Sequence, residues 1–416
     1  MEPRALRRVI LVLAVLAVAS VGCIPPATTP PLPTTTTTST TAPATRSALA
    51  WGYDAFGNVG DDPSPANRPS PASVALPTGV SPTVVSAGAF GSFALADGTI
   101  YAWGRGDSGQ LGNGSTPLFQ GTPVVVSAPA GVRFTALSAG GTHVLALGDD
   151  GRAYAWGDDA EGQLGNDSAY LNQSTPVVVA VPAGVRFTSI SAGYAHSLAI
   201  GDDGRTYSWG YDGFGELGDG ASGVDQPTPV QVVTPPGVTF RSLAAGGHHN
   251  LAIGDDGKAY SWGWDQYGQL GDDAVFTDHL TPVPVAAPAG VTFATVVSGE
   301  HHSMAISTSG DAYAWGQDSN GQVGNDAALV NQPLPVAVAL PAGTKVRSIA
   351  GGGYHTVAAT TDGRAYSWGY DDDGELGDGL PLADRGTPGL VATASGVSVQ
   401  SVVAGYYHVV AIVTST

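Results

Sequence analysis

The chain has 416 residues, only 12% of them charged, and 35 acidic against 16 basic side chains give a formal net charge of −19. No basic stripe is available to neutralise phosphates, which excludes nucleic acid as an expected partner. The 59 glycines and 30 prolines favour short strands and tight turns over a helix bundle, and a single cysteine excludes a disulfide framework.

The amino terminus reads as an address. Arg4, Arg7 and Arg8 precede an apolar run over residues 9–19 that is short for a membrane span, and small residues then lead to Cys23. Residues 1–22 are therefore expected to be a signal peptide. The stretch "ASVGC" resembles a bacterial lipobox, with Ser20 where leucine is usual, so lipidation of Cys23 is expected; plain cleavage near "AVA" at residues 17–19 is the alternative. An acylated cysteine would be the one membrane contact, each buried CH2 contributing about 0.8 kcal/mol. Residues 23–46 follow as a linker, because ten threonines and six prolines among the 23 residues from Ile24 leave too little apolar surface to fold. The protein is expected to be exported, as a cell-membrane lipoprotein or an extracellular protein.

From residue 47 onward one tile recurs. A Trp-Gly pair stands at Trp51, Trp103, Trp156, Trp209, Trp262, Trp315 and Trp368, spaced 52 once and 53 five times, and only Trp264 falls outside the register. A fixed period of this length marks a repeat architecture. Within the period that starts at Val185, "RFTSISAG", "HSLAI", "RTYSW" and "PVQVV" read as four strands, with "GDDG" at 201–204 as the turn between the second and third. The repeat begins at "SALAWG", a third strand without its first two, and stops at "VQSVVAGYYHVVAIV", a first and second strand without a third. The two ends complete one unit. A solenoid needs capping repeats at its ends, whereas a ring closed by a split unit needs none. Residues 47–416 are therefore expected to form an all-β, seven-bladed β-propeller of four-stranded blades, its closing blade shared between the amino- and carboxy-terminal ends.

The tiles "WGDDAEGQLGND" at 156 and "WGQDSNGQVGND" at 315, together with "SAGYAHSLAI" and "SGEHHSMAI", resemble the repeats of the regulator of chromosome condensation propellers. The resemblance covers residues 47–416 and implies the fold far more strongly than a function. Two precedents bear on function. The secreted β-lactamase inhibitory propellers, whose units are shorter, imply an inhibitor-like role. The eukaryotic exchange factor for a small nuclear GTPase implies a wedge inserted among the blades, and with every period at 52 or 53 residues no such insertion is visible. Guanine nucleotide exchange stays as the alternative. The plant ultraviolet photoreceptor of this fold needs clustered tryptophans beyond the repeated column, so that role is not expected.

Three columns of residues are candidates for chemistry. Asp54, Asp159, Asp212, Asp265, Asp318 and Asp371 share one place, with Gly106 in the remaining unit, and "YDDDGELGD" at 370 comes nearest to a calcium loop. Adjacent aspartates lack that loop's alternating ligands, so these side chains are expected to cap turns. His143, His196, His249, His302, His355 and His408 form a second column, with Gly91 in the first complete unit; each is expected to bond into its own blade's turn. The pairs His248-His249 and His301-His302 are weak metal suggestions, and neither a metal nor a cofactor is expected.

A third set varies among units and is the expected partner-binding face: Tyr53, Tyr211, Trp264, Tyr267 and Tyr370, at or just after the Trp-Gly pair. Phe56, Phe214, Tyr194, Tyr354, Tyr406 and Tyr407 lie near it. Aromatic side chains on one face offer large contact area with few rotors to freeze, which suits protein recognition. No nucleophile with a base, phosphate loop or metal-ligand set emerges. The expected function is that of a non-enzymatic, monomeric, secreted or surface-tethered propeller that holds a protein or, as the second candidate, a cell-wall glycan.

Overall fold

The computed structural model describes residues 45–415 except 63–65, 169, 274–275 and 328. The expected signal peptide, the lipidation of Cys23 and all but the last two residues of the linker lie outside the described residues. Arg46, the last of these, already pairs in the first strand.

Seven four-stranded antiparallel sheets contain every strand described. Six are contiguous in the chain and are numbered here as blades 1 (84–125), 2 (134–178), 3 (187–231), 4 (240–284), 5 (293–337) and 6 (346–390). In blade 3 the strands Phe187–Ala192, His196–Gly201, Thr206–Gly210 and Gln226–Gln231 pair in chain order. Blade 7 is the split unit: Val397–Ala404 and His408–Ser415 come from the carboxy-terminal end, and Arg46–Gly52 and Arg68–Ser73 from the amino-terminal end. The seam is an unbroken ladder from Arg46 opposite Thr414 to Gly52 opposite His408.

Burial explains the strand sequences. Every second strand is covered on both sides by neighbouring blades, so all six residues of His196–Gly201 are buried. Size then alternates where polarity would in a half-exposed strand. Leu198 packs toward blade 4 against Val232, Ala252 and Trp262, while Ala199 turns toward blade 2 and meets Leu145 and Leu147. Large residues on one side of a blade thus meet small ones on the next. The fourth strands carry the exposed edges, and each has a proline, as at Pro123, Pro229 and Pro388, beside a break in register where a lost amide donor costs least.

Hydrogen bonds between blades close the ring at its axis. The amide of Ala89 donates to the Gly141 carbonyl, Tyr194 to Gly246, Gly247 to Gly299, Glu300 to Gly352 and Gly353 to Tyr406, and Tyr406 returns to Ala89. These residues sit at the turns between first and second strands, at the same end of the blades as the loops that follow Trp-Gly.

Candidate functional site

The tile turns out to be a joint between blades. Each of its tryptophans is fully buried and donates its indole N–H to a carbonyl in the preceding blade's loop, as Trp209 does to Gln163 at 2.9 Å and Trp51 to Glu375 at 2.9 Å. The loop glycine two residues beyond that carbonyl lies against the indole. At Gly165, where φ is +65°, a Cβ would fall 2.5 Å from Trp209 Nε1.

The histidine column belongs to the same joint. Contrary to expectation, none of the six rings bonds into its own turn, and five of them, all but His355, cross to the next blade. His143 Nε2 lies 2.9 Å from Ser197 Oγ, His196 Nε2 2.7 Å from Asn250 Oδ1, and His302 Nε2 2.9 Å from Thr356 Oγ1. Ser197 Oγ donates its own hydrogen to the Gln163 carbonyl at 2.9 Å, the carbonyl already bonded by Trp209. The hydroxyl can then only accept from the ring, which places the imidazole hydrogen on Nε2. Burial holds His143, His302, His355 and His408 down to about 3, so these rings are neutral. Their own turns offer no such partner: the Nδ1 atoms of all six column histidines are unbonded.

The aspartate column caps turns, as its sequence suggests. Asp212 Oδ1 accepts the Leu217 amide at 3.0 Å, and Asp265 accepts that of Leu270 at 2.8 Å. Burial pushes Asp54 and Asp318 up to about 6 and Asp212 and Asp265 up to about 7, with Asp219, Glu216 and Asp225 adding to the rise at Asp212. A carboxyl raised on folding favours the fold below its unfolded value near 4, and that contribution is lost as pH rises through 7. The histidines act in the opposite sense, favouring the fold above about 6.5 and losing that contribution as pH falls toward 3. Asp212→Asn keeps the acceptor and removes the titration. It is expected to match the parent chain at pH 4.5 and to exceed it by on the order of 2 kcal/mol at pH 8 in urea unfolding. An equal effect at both pH values would refute the assignment. Among the described residues, no group of three or more His, Cys, Asp or Glu is placed to hold a metal ion.

The five residues expected on the face are brought into one array. Tyr53 meets Phe56, Phe90 and Tyr407 at 6.1 to 6.2 Å between ring centroids. Tyr407 continues to Tyr370 at 5.8 Å and Tyr354 at 6.3 Å, and Tyr354 reaches His301 at 6.3 Å. His301 stands 5.2 Å from Trp264, which touches Tyr267 at 5.3 Å and Phe214 at 5.7 Å. Tyr211 joins through Phe214 at 6.3 Å and His248 at 5.6 Å, and His248 leads to Tyr194 at 6.2 Å. At the other end Arg105 lies 5.4 Å above Phe56 and is clamped by two 2.7 Å hydrogen bonds to Asp107. Blade 2 interrupts the array with Thr142 and Asp158, bonded to each other at 3.1 Å. Tyr194 is exposed and the other rings are half-buried.

His248 and His301, weighed above only as metal ligands, are members of this array. His248 Nδ1 donates to buried Glu216 at 3.0 Å. Phe90 and Glu300 carried no expectation. They occupy the two places before the histidine column, which vary from blade to blade as a face residue does.

A closed, seven-bladed repeat propeller with one aromatic face defines the class. Residues 39–340 match the RCC1-like domain, and residues 346–375 and 362–412 match the regulator of chromosome condensation (RCC1) repeat. The chain belongs to this RCC1-like repeat propeller family. It is 32% identical over 349 residues to the ultraviolet-B receptor UVR8 of Arabidopsis thaliana, covering 83% of this chain and 78% of the receptor. It is 34% identical over 376 residues to the human E3 ubiquitin-protein ligase HERC2, where the match covers 88% of this chain but 8% of the ligase. Among solved structures, yeast RCC1 (Prp20) bound to Kap60 superposes with a TM-score of 0.79 at 24% identity, covering 90% of each chain. Human WBSCR16 gives 0.78 at 23% identity, covering 89% of this chain and 99% of that one.

Proposed function

We propose that this chain is a non-enzymatic binding propeller, exported and either tethered at the cell surface or released, that grips another protein through its aromatic face. The observation that carries this reading is the single array of rings contributed by six of the seven blades. A surface of Tyr, Trp, Phe and His fixed by mutual packing offers rigid area with polar tips, so little side-chain entropy is lost on docking. The arginine-led signal and Cys23 support the exported address. A protein whose working surface is a rigid face of this kind would serve in an inhibitor-like role, by covering its partner.

The test compares the propeller, residues 43–416, with a variant carrying Tyr53→Ala, Tyr211→Ala, Trp264→Ala and Tyr370→Ala, both used as bait against envelope and secreted proteins. The intact propeller is expected to retain a partner that the variant, shown to be folded by its circular dichroism, holds at least roughly tenfold more weakly. Equal retention by both would overturn the reading and turn attention to cell-wall glycans.

A further inference from the structure

The centre of the aromatic face is open. On the axis lies a cavity of about 140 Å³, lined by the alanines, glycines and Ser298 at the ends of the first strands and by three larger side chains, Tyr194, Glu300 and Tyr406. That volume is roughly ten times what one water needs. In the other blades the place of Glu300 is taken by glycine, alanine or tyrosine, so Glu300 is the one carboxylate at this level of the ring. It has room because the neighbouring blade carries Gly247 there, where a Cβ would fall 2.8 Å from the carboxyl carbon.

Among the described residues the Glu300 carboxylate makes no hydrogen bond and no salt bridge. Burial pushes it up to about 7, with His248 drawing it down. His301, beside it in the chain, is held down to about 4 by burial and so brings no positive charge above that pH. Arg105, the cation on the face, is already clamped by Asp107. An unpaired carboxylate among tyrosine rings favours a cation twice over, through the ion pair and through the negative faces of the rings. The acidic balance of the whole chain acts in the same direction at longer range.

We propose that this axial well receives one lysine side chain presented by the protein that the aromatic face grips, with Glu300 as its ion partner and Tyr194 and Tyr406 as its walls. This deepens the binding reading above and rests on it. A lysine fits better than an arginine, because a compact ammonium on a flexible stem is matched by a single carboxylate, whereas a guanidinium fork looks for two acceptors.

The experiment titrates the full chain at pH 8, where Glu300 is ionised, with the blocked peptide Gly-Ser-Gly-Lys-Gly-Ser-Gly and with its acetyl-lysine counterpart, followed by calorimetry. Saturable binding is expected for the lysine peptide, at least roughly tenfold weaker for acetyl-lysine and for Glu300→Gln, and several-fold weaker for Tyr194→Leu, a second variant at an exposed ring. Equal binding of the two peptides, absence of binding, or full binding by Glu300→Gln would overturn the proposal. The two readings separate cleanly. If the four-alanine variant loses its partner while Glu300→Gln binds the lysine peptide as the parent does, the well falls and the gripping face stands. If Glu300→Gln alone loses the peptide and the four-alanine variant still captures every partner, the well stands and the gripping face falls.

Discussion

Alanine at Gly377 is expected to lower stability by about 3 kcal/mol or more, and to open the ring at its seam before anywhere else. Gly377 has φ of +62°, a left-handed conformation, and a Cβ there would sit 2.5 Å from Trp51 Nε1 and 2.6 Å from its Cδ1. The indole cannot swing aside, because it is fully buried and its N–H is bonded to the Glu375 carbonyl. Gly165→Ala places the same Cβ against Trp209 with φ of +65°. The local insult is equal, but the surroundings differ. Trp209 lies on a third strand continuous with its own hairpin, whereas Trp51 lies on Arg46–Gly52, held in its blade by the ladder to His408–Ser415. Urea unfolding should therefore show similar losses for the two variants. Amide exchange should speed up in residues 46–52 and 408–415 for Gly377→Ala and leave that ladder protected in Gly165→Ala. Equal protection of the seam in both would show that closure does not depend on this joint.

The fold was legible because the joint repeats. The tryptophan, the glycine beneath it and the aspartate that caps the intervening turn act as one unit at a fixed period, so the tile could be counted from the chain alone, and the two partial ends announced the split blade. The histidine's role was hidden because its partner lies 54 residues further on, in a place held by Ser197, Asn250, Ser303 or Thr356. A column that accepts any side chain with an oxygen to offer makes no motif. The site was half legible for a related reason. Residues just past Trp-Gly had to share a face, which brought Tyr53, Tyr211, Trp264, Tyr267 and Tyr370 into view. Ring closure decides who touches whom, and it puts Tyr53 beside Tyr407, far away in the chain. Glu300 occurs once, in a place otherwise held by small or aromatic residues, so no periodicity could mark it.

The histidine joint also shows where the hydrogen bonding between blades is incomplete. Between blades 1 and 2 both partners are absent together, Gly91 facing a blade whose second strand has Val144 in the acceptor place, so nothing polar is left unpaired. Between blades 6 and 7 the match is broken. His355 is retained, fully buried, but the acceptor place holds Val409, and His355 Nε2 has no hydrogen-bond partner. An unmet buried donor costs about 1 to 3 kcal/mol. Val409→Thr, nearly isosteric, supplies a hydroxyl that can accept from His355 and donate to the Glu375 carbonyl, which Trp51 already bonds. A valine-to-threonine change in an apolar core is ordinarily unfavourable, yet here it is expected to raise stability by about 1 kcal/mol. The reverse change in the preceding joint makes the control. Thr356 accepts from His302 at 2.9 Å and donates to the Gln322 carbonyl at 2.8 Å, so Thr356→Val should cost about 2 to 3 kcal/mol by orphaning the His302 donor. In His302→Leu, where no donor remains, most of that cost should vanish, and the coupling in this double-mutant cycle is the quantity to measure. If Val409→Thr destabilises while the cycle shows coupling, the seam is set apart by its geometry; if neither effect appears, the histidine column serves packing alone.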